Sequence, residues 1–447
     1  MAPSITVYPL QWQSHGITLS DWISLFTLSL APLIAHIVAG VPQTSYLDAS
    51  RPRWHEVLGH YNPTSILWRY AIITDRRIRA RAWNRADMAA SNTTFWTSRG
   101  WDGSEAMVVE SLPHCVHLPE HARIKWFSRE MIKTVVVTLQ GTQALYLLIY
   151  GFTNPNTNFI NTLAVNTIFF PLAWIGLLRL CCGLWLTDDY VYTALDDVQG
   201  HDMALRHMST FSIDCSVEQH DPNVVTTTEK RFKSPSNWPS KLFRAAFMVP
   251  IVGMLLLAIF YSTPALPGHY GMVWTVTQVL FAALYLFFLF MSSIVLIRYL
   301  AAGHTTTIIP CVNAIWYKVY SSVLIALGVI LIAVACVETK KTPCGTYTGY
   351  PGLMGDSIAC YQQGLVERVV PMGKPGEEFT QGFGWDFGIA STYPSHNASG
   401  ANILGPGESW VYNFTGYCLG VDNGHMWQLT ETLDVQNIRT VYNSTLD

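Results

Sequence analysis

Long apolar stretches alternate with polar loops along the chain. Six stretches contain no Asp or Glu and have about the 20 residues that cover a ~30 Å hydrocarbon core. They run from Trp22 to Val41, Thr134 to Phe152, Thr162 to Leu186, Leu242 to Tyr261, Trp274 to Leu300, and Trp316 to Val337. Aromatic residues such as Trp22, Trp185, Trp274 and Trp316 mark their ends, where amphipathic rings favour the headgroup level. A single such run also suits a buried helix of a water-soluble core, but six together do not. The pattern predicts an α-helical membrane bundle of about six transmembrane helices.

Charge gives the bundle a direction. Only 13% of the 447 residues are charged, against roughly 25% in soluble proteins, and the net charge of -3 implies no nucleic-acid partner. The tail 1–21 and the loops 153–161 and 262–273 hold no Lys or Arg, whereas residues 42–133 hold 13 and residues 187–244 hold six. The positive-inside rule then predicts cytoplasmic loops 42–133 and 187–241, and both termini extracytoplasmic, in a plasma membrane or endomembrane. A signal peptide opens with a basic stretch, so the first span reads as an anchor.

Residues 338–447 hold 16 of the 31 glycines, which points to short strands and turns, a small C-terminal β-rich extracytoplasmic domain. From Ser409 to Cys418 the aromatics Trp410, Tyr412 and Phe414 alternate with Val411, Asn413 and Thr415, as in a half-buried strand. N-x-[ST] acceptors fall at Asn397, Asn413 and Asn443, and the assigned side makes all three glycosylation sites. A fourth, Asn92, lies in the basic loop and is expected to be silent. An oxidising lumen permits disulfides; Cys344 with Cys360 is the favoured pair, since it closes a short loop and leaves Cys336 in lipid, and Cys418 is the competing partner.

In the first basic loop, Asn62 before Pro63 is a helix start. The predicted helix is apolar from Ile66 to Ile73 and basic from Arg76 onward. Such a zoned helix enters a membrane interface with Arg76, Arg77, Arg79 and Arg81 on anionic headgroups, at ~1 kcal/mol per basic residue, or else the arginines only enforce topology.

Candidate chemistry is sparse. Asp188, Asp189, Asp196, Asp197, His201 and Asp202 cluster after the third stretch; on a continued helix, Asp189, Asp196, Asp197 and His201 share a stripe that suits a hard cation, although acid runs are more often a solvated face. His114, Cys115, His117 and His121 have donor types that bind zinc, but Pro113 and Pro119 interrupt them and no second Cys pair answers. Inside the spans, His36, Gln140, Gln143, Asn166 and Gln278 are polar, and intramembrane polar groups mark pathways or helix contacts. No Walker loop, dinucleotide fingerprint, G-x-S-x-G elbow or histidine-box pattern occurs, so no cofactor is expected.

The runs His60-Tyr61-Asn62-Pro63-Thr64-Ser65-Ile66-Leu67-Trp68-Arg69-Tyr70, Ala86-Asp87-Met88-Ala89-Ala90-Ser91-Asn92 and Gly100-Trp101-Asp102-Gly103-Ser104-Glu105 resemble a group of uncharacterised multi-pass membrane proteins of filamentous fungi. The resemblance covers mainly the first span and basic loop. It implies a fungal membrane protein and brings no activity or site residues with it. The leading expectation is a non-enzymatic sensor or assembly protein; the alternatives are a transporter with a path near the span polar residues, and a membrane-embedded enzyme using the aspartates after the third span.

Overall fold

The computed structural model describes residues 6–153, 163–192, 231–263, 273–342, 345–351, 359, 418–422 and 425–429. Among them, five helices are long and apolar enough to cross a membrane. These are α1 (Leu19–Gly40), α4 (Arg129–Thr153), α6 (Trp238–Ser262), α7 (Val276–Ala301) and α8 (Ile315–Glu338). Three shorter helices of eight or more residues accompany them: α2 (Pro63–Arg79), α3 (Arg85–Asn92) and α5 (Ile175–Cys182).

The third predicted span departs from expectation. Residues 163–186 do not form one long helix but a turn, a 3-10 segment Phe170–Trp174, α5, and a second 3-10 segment Gly183–Trp185. Pro171 sits at the start of the first 3-10 segment. It has no N–H to donate and fixes its own φ, which fits a break there. The stretch still runs from one end of the bundle to the other. Gly349 N donates to Leu163 O and Val165 N donates to Thr339 at one end, while Leu184 O accepts from Ile124 N at the other. Irregular backbone at membrane depth is tolerated where protein covers it, and Val165, Ile168, Phe169, Trp174, Ile175 and Cys182 are all buried.

Glycines let the broken segment approach α4. A Cβ on Gly176 would stand 2.1 Å from the carbonyl oxygen of Val137, and one on Gly141 would stand 2.7 Å from that of Ala173. Two backbones thus meet at distances that only glycine allows, the usual logic of small residues between membrane helices.

At the end where α1, α6, α7 and α8 have residues Leu19, Ser262, Val276 and Glu338, the Glu338 carboxylate accepts from Val276 N at 3.2 Å and Thr277 N at 2.8 Å. It thereby satisfies free N–H groups at the start of α7 and lies at the positive end of its dipole. The opposite end, the basic end, is covered by residues 41–128. There the strands β1 (Gln43–Tyr46), β2 (Thr93–Thr97) and β3 (Gly100–Asp102) form a sheet, parallel between β1 and β2 and antiparallel between β2 and β3.

The sequon residues Asn397, Asn413 and Asn443, the cysteines Cys344 and Cys360, and the run Ser409 to Tyr417 lie outside the described residues. Within the predicted β-rich region, Cys418–Asp422 and His425–Leu429 pair as an antiparallel hairpin.

Candidate functional site

The polar chemistry of the described chain concentrates at the basic end, and α2 carries most of it. Asn62 caps the helix by accepting from Thr64 N at 2.9 Å, with Pro63 at the first helical position, as the sequence predicts. The same first turn is tied to α7 and α8 by side chains. Asn62 donates to Ser321 Oγ at 2.8 Å, Thr64 Oγ1 lies 2.7 Å from Ser292 Oγ and 2.9 Å from the Tyr320 hydroxyl, and Ser65 Oγ lies 2.7 Å from that of Tyr317. Unbonded hydroxyls would be costly here, and these satisfy one another.

The far end of α2 holds ions. Asp75 is fully buried and accepts from Arg79 Nε at 2.8 Å and from Arg244 on α6 at 2.7 and 3.1 Å, with Ser240 Oγ as a further donor. Burial disfavours its charge, but hydrogen bonds from Arg244 and Ser240, with the fields of both guanidinium groups, outweigh it and hold the carboxyl below the usual range. Arg244 reaches on to Leu300 O and His304 O, and Arg79 to Glu105 and Lys233 O. One carboxylate therefore joins α2, α6 and the segment after α7. Asp87 differs: burial raises its pKa, although Arg231 donates to it at 3.0 Å.

Two other buried arginines meet the carboxyl end of α1. Arg69 donates to Gly40 O at 2.7 Å, and Arg179 donates to Ala39 O. The last carbonyls of a helix lack partners within it and carry its negative dipole end, so guanidinium groups suit them. Arg69 also holds Asn92, donating to its Oδ1 at 3.2 Å and to its backbone carbonyl at 3.1 Å. Asn92 in turn donates to Met88 O and Trp185 O. The sequon at Asn92 is therefore enclosed, and a glycan has no room there whichever side of the membrane it faces.

These contacts change the picture of the basic helix. Arg76 and Arg79 are buried, and Arg76 is spent on Gly103 O at 2.7 Å, Thr305 O at 3.1 Å and Ser91 at 3.3 Å. Headgroup contact by these two is incompatible with such burial. Arg77 lies 5.9 Å from the rings of both Trp83 and Trp185, and Arg81 is exposed.

The loop histidines and the aspartates meet in one place. Strands β4 (Cys115–His117) and β5 (Val191–Tyr192) pair antiparallel, which brings His117 Nε2 to 3.2 Å from Asp189. His121 and Asp189 line one cavity of about 250 Å³. No group of three or more His, Cys, Asp or Glu with metal-binding geometry occurs among the described residues. Asp196, Asp197 and His201 lie outside them.

Inside the bundle, the buried face of α1 comprises Leu25, Ser29, Pro32, His36 and Gly40. Ser29 Oγ and both ring nitrogens of His36 have no hydrogen-bond partner among the described residues, nor have Gln140 Oε1 and Asn166 Oδ1. No family model, curated protein or solved structure matches this chain.

Asp75, Asp87, Glu105, Arg231, Arg244 and Glu338 are the residues that sequence reasoning missed. One signal was available, the four-residue spacing of Asp75 and Arg79, which places them on one helix face.

Proposed function

We propose that this chain is a non-enzymatic sensor or assembly protein that crosses a plasma membrane or endomembrane six times, with both termini extracytoplasmic. The observation that carries the reading is the attachment of α8. This helix leads into residues 338–447 at one end and is hydrogen-bonded through Tyr317, Tyr320 and Ser321 to α2 at the other. Through Asp75, α2 is bonded to α6. A shift of α8 caused by a ligand or partner on the extracytoplasmic domain would thus reach the basic loop by contiguous contacts, the physical requirement for coupling. The lipid bilayer is the surrounding partner, and Arg77 and Arg81 remain as contacts for anionic headgroups.

Cleavage at a protease site inserted after Pro351 tests the coupling. The reading requires altered hydrogen exchange across residues 63–79 after release of the C-terminal region; unchanged exchange there contradicts it. Sidedness is tested separately by glycosidase treatment of single-sequon variants, with mass shifts expected from one or more of Asn397, Asn413 and Asn443. Absence of all three shifts in material made by a eukaryotic secretory route contradicts the orientation. Peptide mapping without reduction tests the Cys344–Cys360 bridge, and a bridge from either to Cys418 refutes it.

A carrier is the second reading, favoured by the polar atoms of Ser29, His36, Gln140 and Asn166 that lack partners around the broken third segment. Polar groups at membrane depth are costly unless they serve a path. Proton or ion flux into sealed vesicles, lost on His36→Leu, would place this reading first; flux equal to that of protein-free vesicles removes it. The enzyme reading keeps the His117–Asp189 contact as its support. Its test is bound-metal content before and after Asp196→Asn with Asp197→Asn, and loss of a stoichiometric ion would move it to first place.

A further inference from the structure

We propose that the cavity between residues 119–130 and Thr187–Asp189 binds the headgroup of an ethanolamine phospholipid, with the phosphate on Arg123 and the ammonium among Glu120, Glu130 and Asp189. Three observations lead to this occupant. The first is place. The cavity volume of about 250 Å³ lies immediately before α4, whose outward residues Ile132, Val135, Val136 and Leu139 are apolar. Between them, Trp126 is 73% exposed and Phe127 fully exposed, as expected of rings at the boundary between headgroups and hydrocarbon.

The second observation is charge. The lining holds the carboxylates of Glu120, Glu130 and Asp189 and the cations of Arg123 and Lys125. Lys125 already pairs with Glu120 at 2.6 Å, and Glu130 with Lys133 at 3.1 Å. Arg123 has no hydrogen bond or ion pair among the described residues, and a guanidinium presents a fork of donors that matches phosphate. Both signs in one cavity suit a zwitterion: Glu120, Glu130 and Asp189 already have Lys125, Lys133 and His117 as partners, which leaves Arg123 for a phosphate and no cation for a headgroup's further negative charge.

The third is what the lining lacks. Recognition of a quaternary ammonium uses the faces of Trp, Tyr or Phe, and none of these lines the cavity. A primary ammonium instead donates hydrogen bonds, and the three carboxylates provide acceptors. Ethanolamine therefore fits better than choline, and a serine headgroup fits worst. This site is separate from the anionic-headgroup contact of Arg77 and Arg81, and it holds whichever side of the membrane the basic end faces.

The full chain in nanodiscs of equimolar phosphatidylethanolamine, phosphatidylcholine and phosphatidylserine, all with the same acyl chains, provides the test. Lipids that stay bound after transfer to detergent are counted by native mass spectrometry. The expected result is one phosphatidylethanolamine retained in preference to the other two. Arg123→Ala should lower that retention about tenfold, the scale of one charge-assisted hydrogen bond, whereas Arg99→Ala, at an exposed arginine outside the cavity, should leave it unchanged. Glu120→Gln with Asp189→Asn should shift retention toward phosphatidylserine. These are exposed positions, and an unchanged thermal midpoint shows that each variant is folded. Equal retention of all three lipids, or retention insensitive to Arg123→Ala and to the double variant, overturns the proposal.

Discussion

Helices α2 and α8 divide burial in the opposite sense to a water-soluble protein, with the more polar helix enclosed and the apolar one facing outward. In α2, five of the residues between Pro63 and Arg79 are Arg or Asp, yet 14 of its 17 residues are buried. In α8, hydropathy is among the highest in the chain, yet only 22% of its most apolar window is buried. Val319, Val323, Val329 and Ile330 are among its exposed side chains. In lipid, an apolar side chain gains little by turning inward. Ions and hydroxyls must find partners inside the protein. The hub of the basic end is thus built from the polar helix, and the apolar helices form its wall.

The largest expected effect strikes the hub. Asp75→Asn leaves Arg79 and Arg244 buried without their shared carboxylate, and should cost ~3–5 kcal/mol, the range for removing one partner of a buried pair. A fall in the thermal unfolding midpoint in detergent measures it. A cost below about 1 kcal/mol, the range of an exposed pair, would show that the contact is solvated and the contrast with α8 unfounded.

Next comes acidity. His60 is buried against Trp101, with ring centroids 4.6 Å apart, and burial, with a smaller contribution from Arg69, lowers its pKa from 6.5 to about 4. The depressed value means that the unfolded chain binds the proton first. The stability from neutral His60 is complete above pH 6.5 and is lost as the pH falls toward 4, in all about 3 kcal/mol at 1.36 kcal/mol per unit. His60→Phe should remove that part of the slope between pH 6.5 and 4; an identical slope in the variant would mean that His60 is solvated.

Smaller effects separate the interior of the wall from its surface. Gly176→Ala places a methyl against the Val137 carbonyl and should cost about 1–3 kcal/mol through overpacking, read as a lower unfolding midpoint. Val319→Ala, on the outward side of α8, should stay within about 0.5 kcal/mol. If these two variants behaved alike, the close approach of α5 to α4 would not be a real constraint.

The apolar wall was legible because length and hydropathy report it directly: five of the six predicted spans became long helices. The third did not, since Pro171 fits a break in a run whose composition alone reads as a span. The start of α2 was legible in Asn62-Pro63, but its surroundings were not. Zoned from apolar to basic, the helix has the composition of an interfacial one, and apart from the four-residue spacing of Asp75 and Arg79 nothing local distinguishes a headgroup from Glu105 or a backbone carbonyl as the partner of an arginine. Those partners lie far off in sequence, as Arg244 does from Asp75. Residues 60–70, 86–92 and 100–105 contain much of this hub, including the buried Asn62, Thr64, Ser65, Arg69, Asp87 and Asn92. The meeting of His117 with Asp189 likewise depends on a strand pair that joins two loops.

The most direct test of the buried hub is hydrogen exchange of the full chain in nanodiscs, followed on peptides that cover residues 63–79 and residues 276–301. Slow exchange of α2, comparable with that of α7, is the expected result, because its residues are enclosed by protein despite their polarity. Exchange of α2 orders of magnitude faster than that of α7, as for a helix lying on a membrane surface, would contradict it.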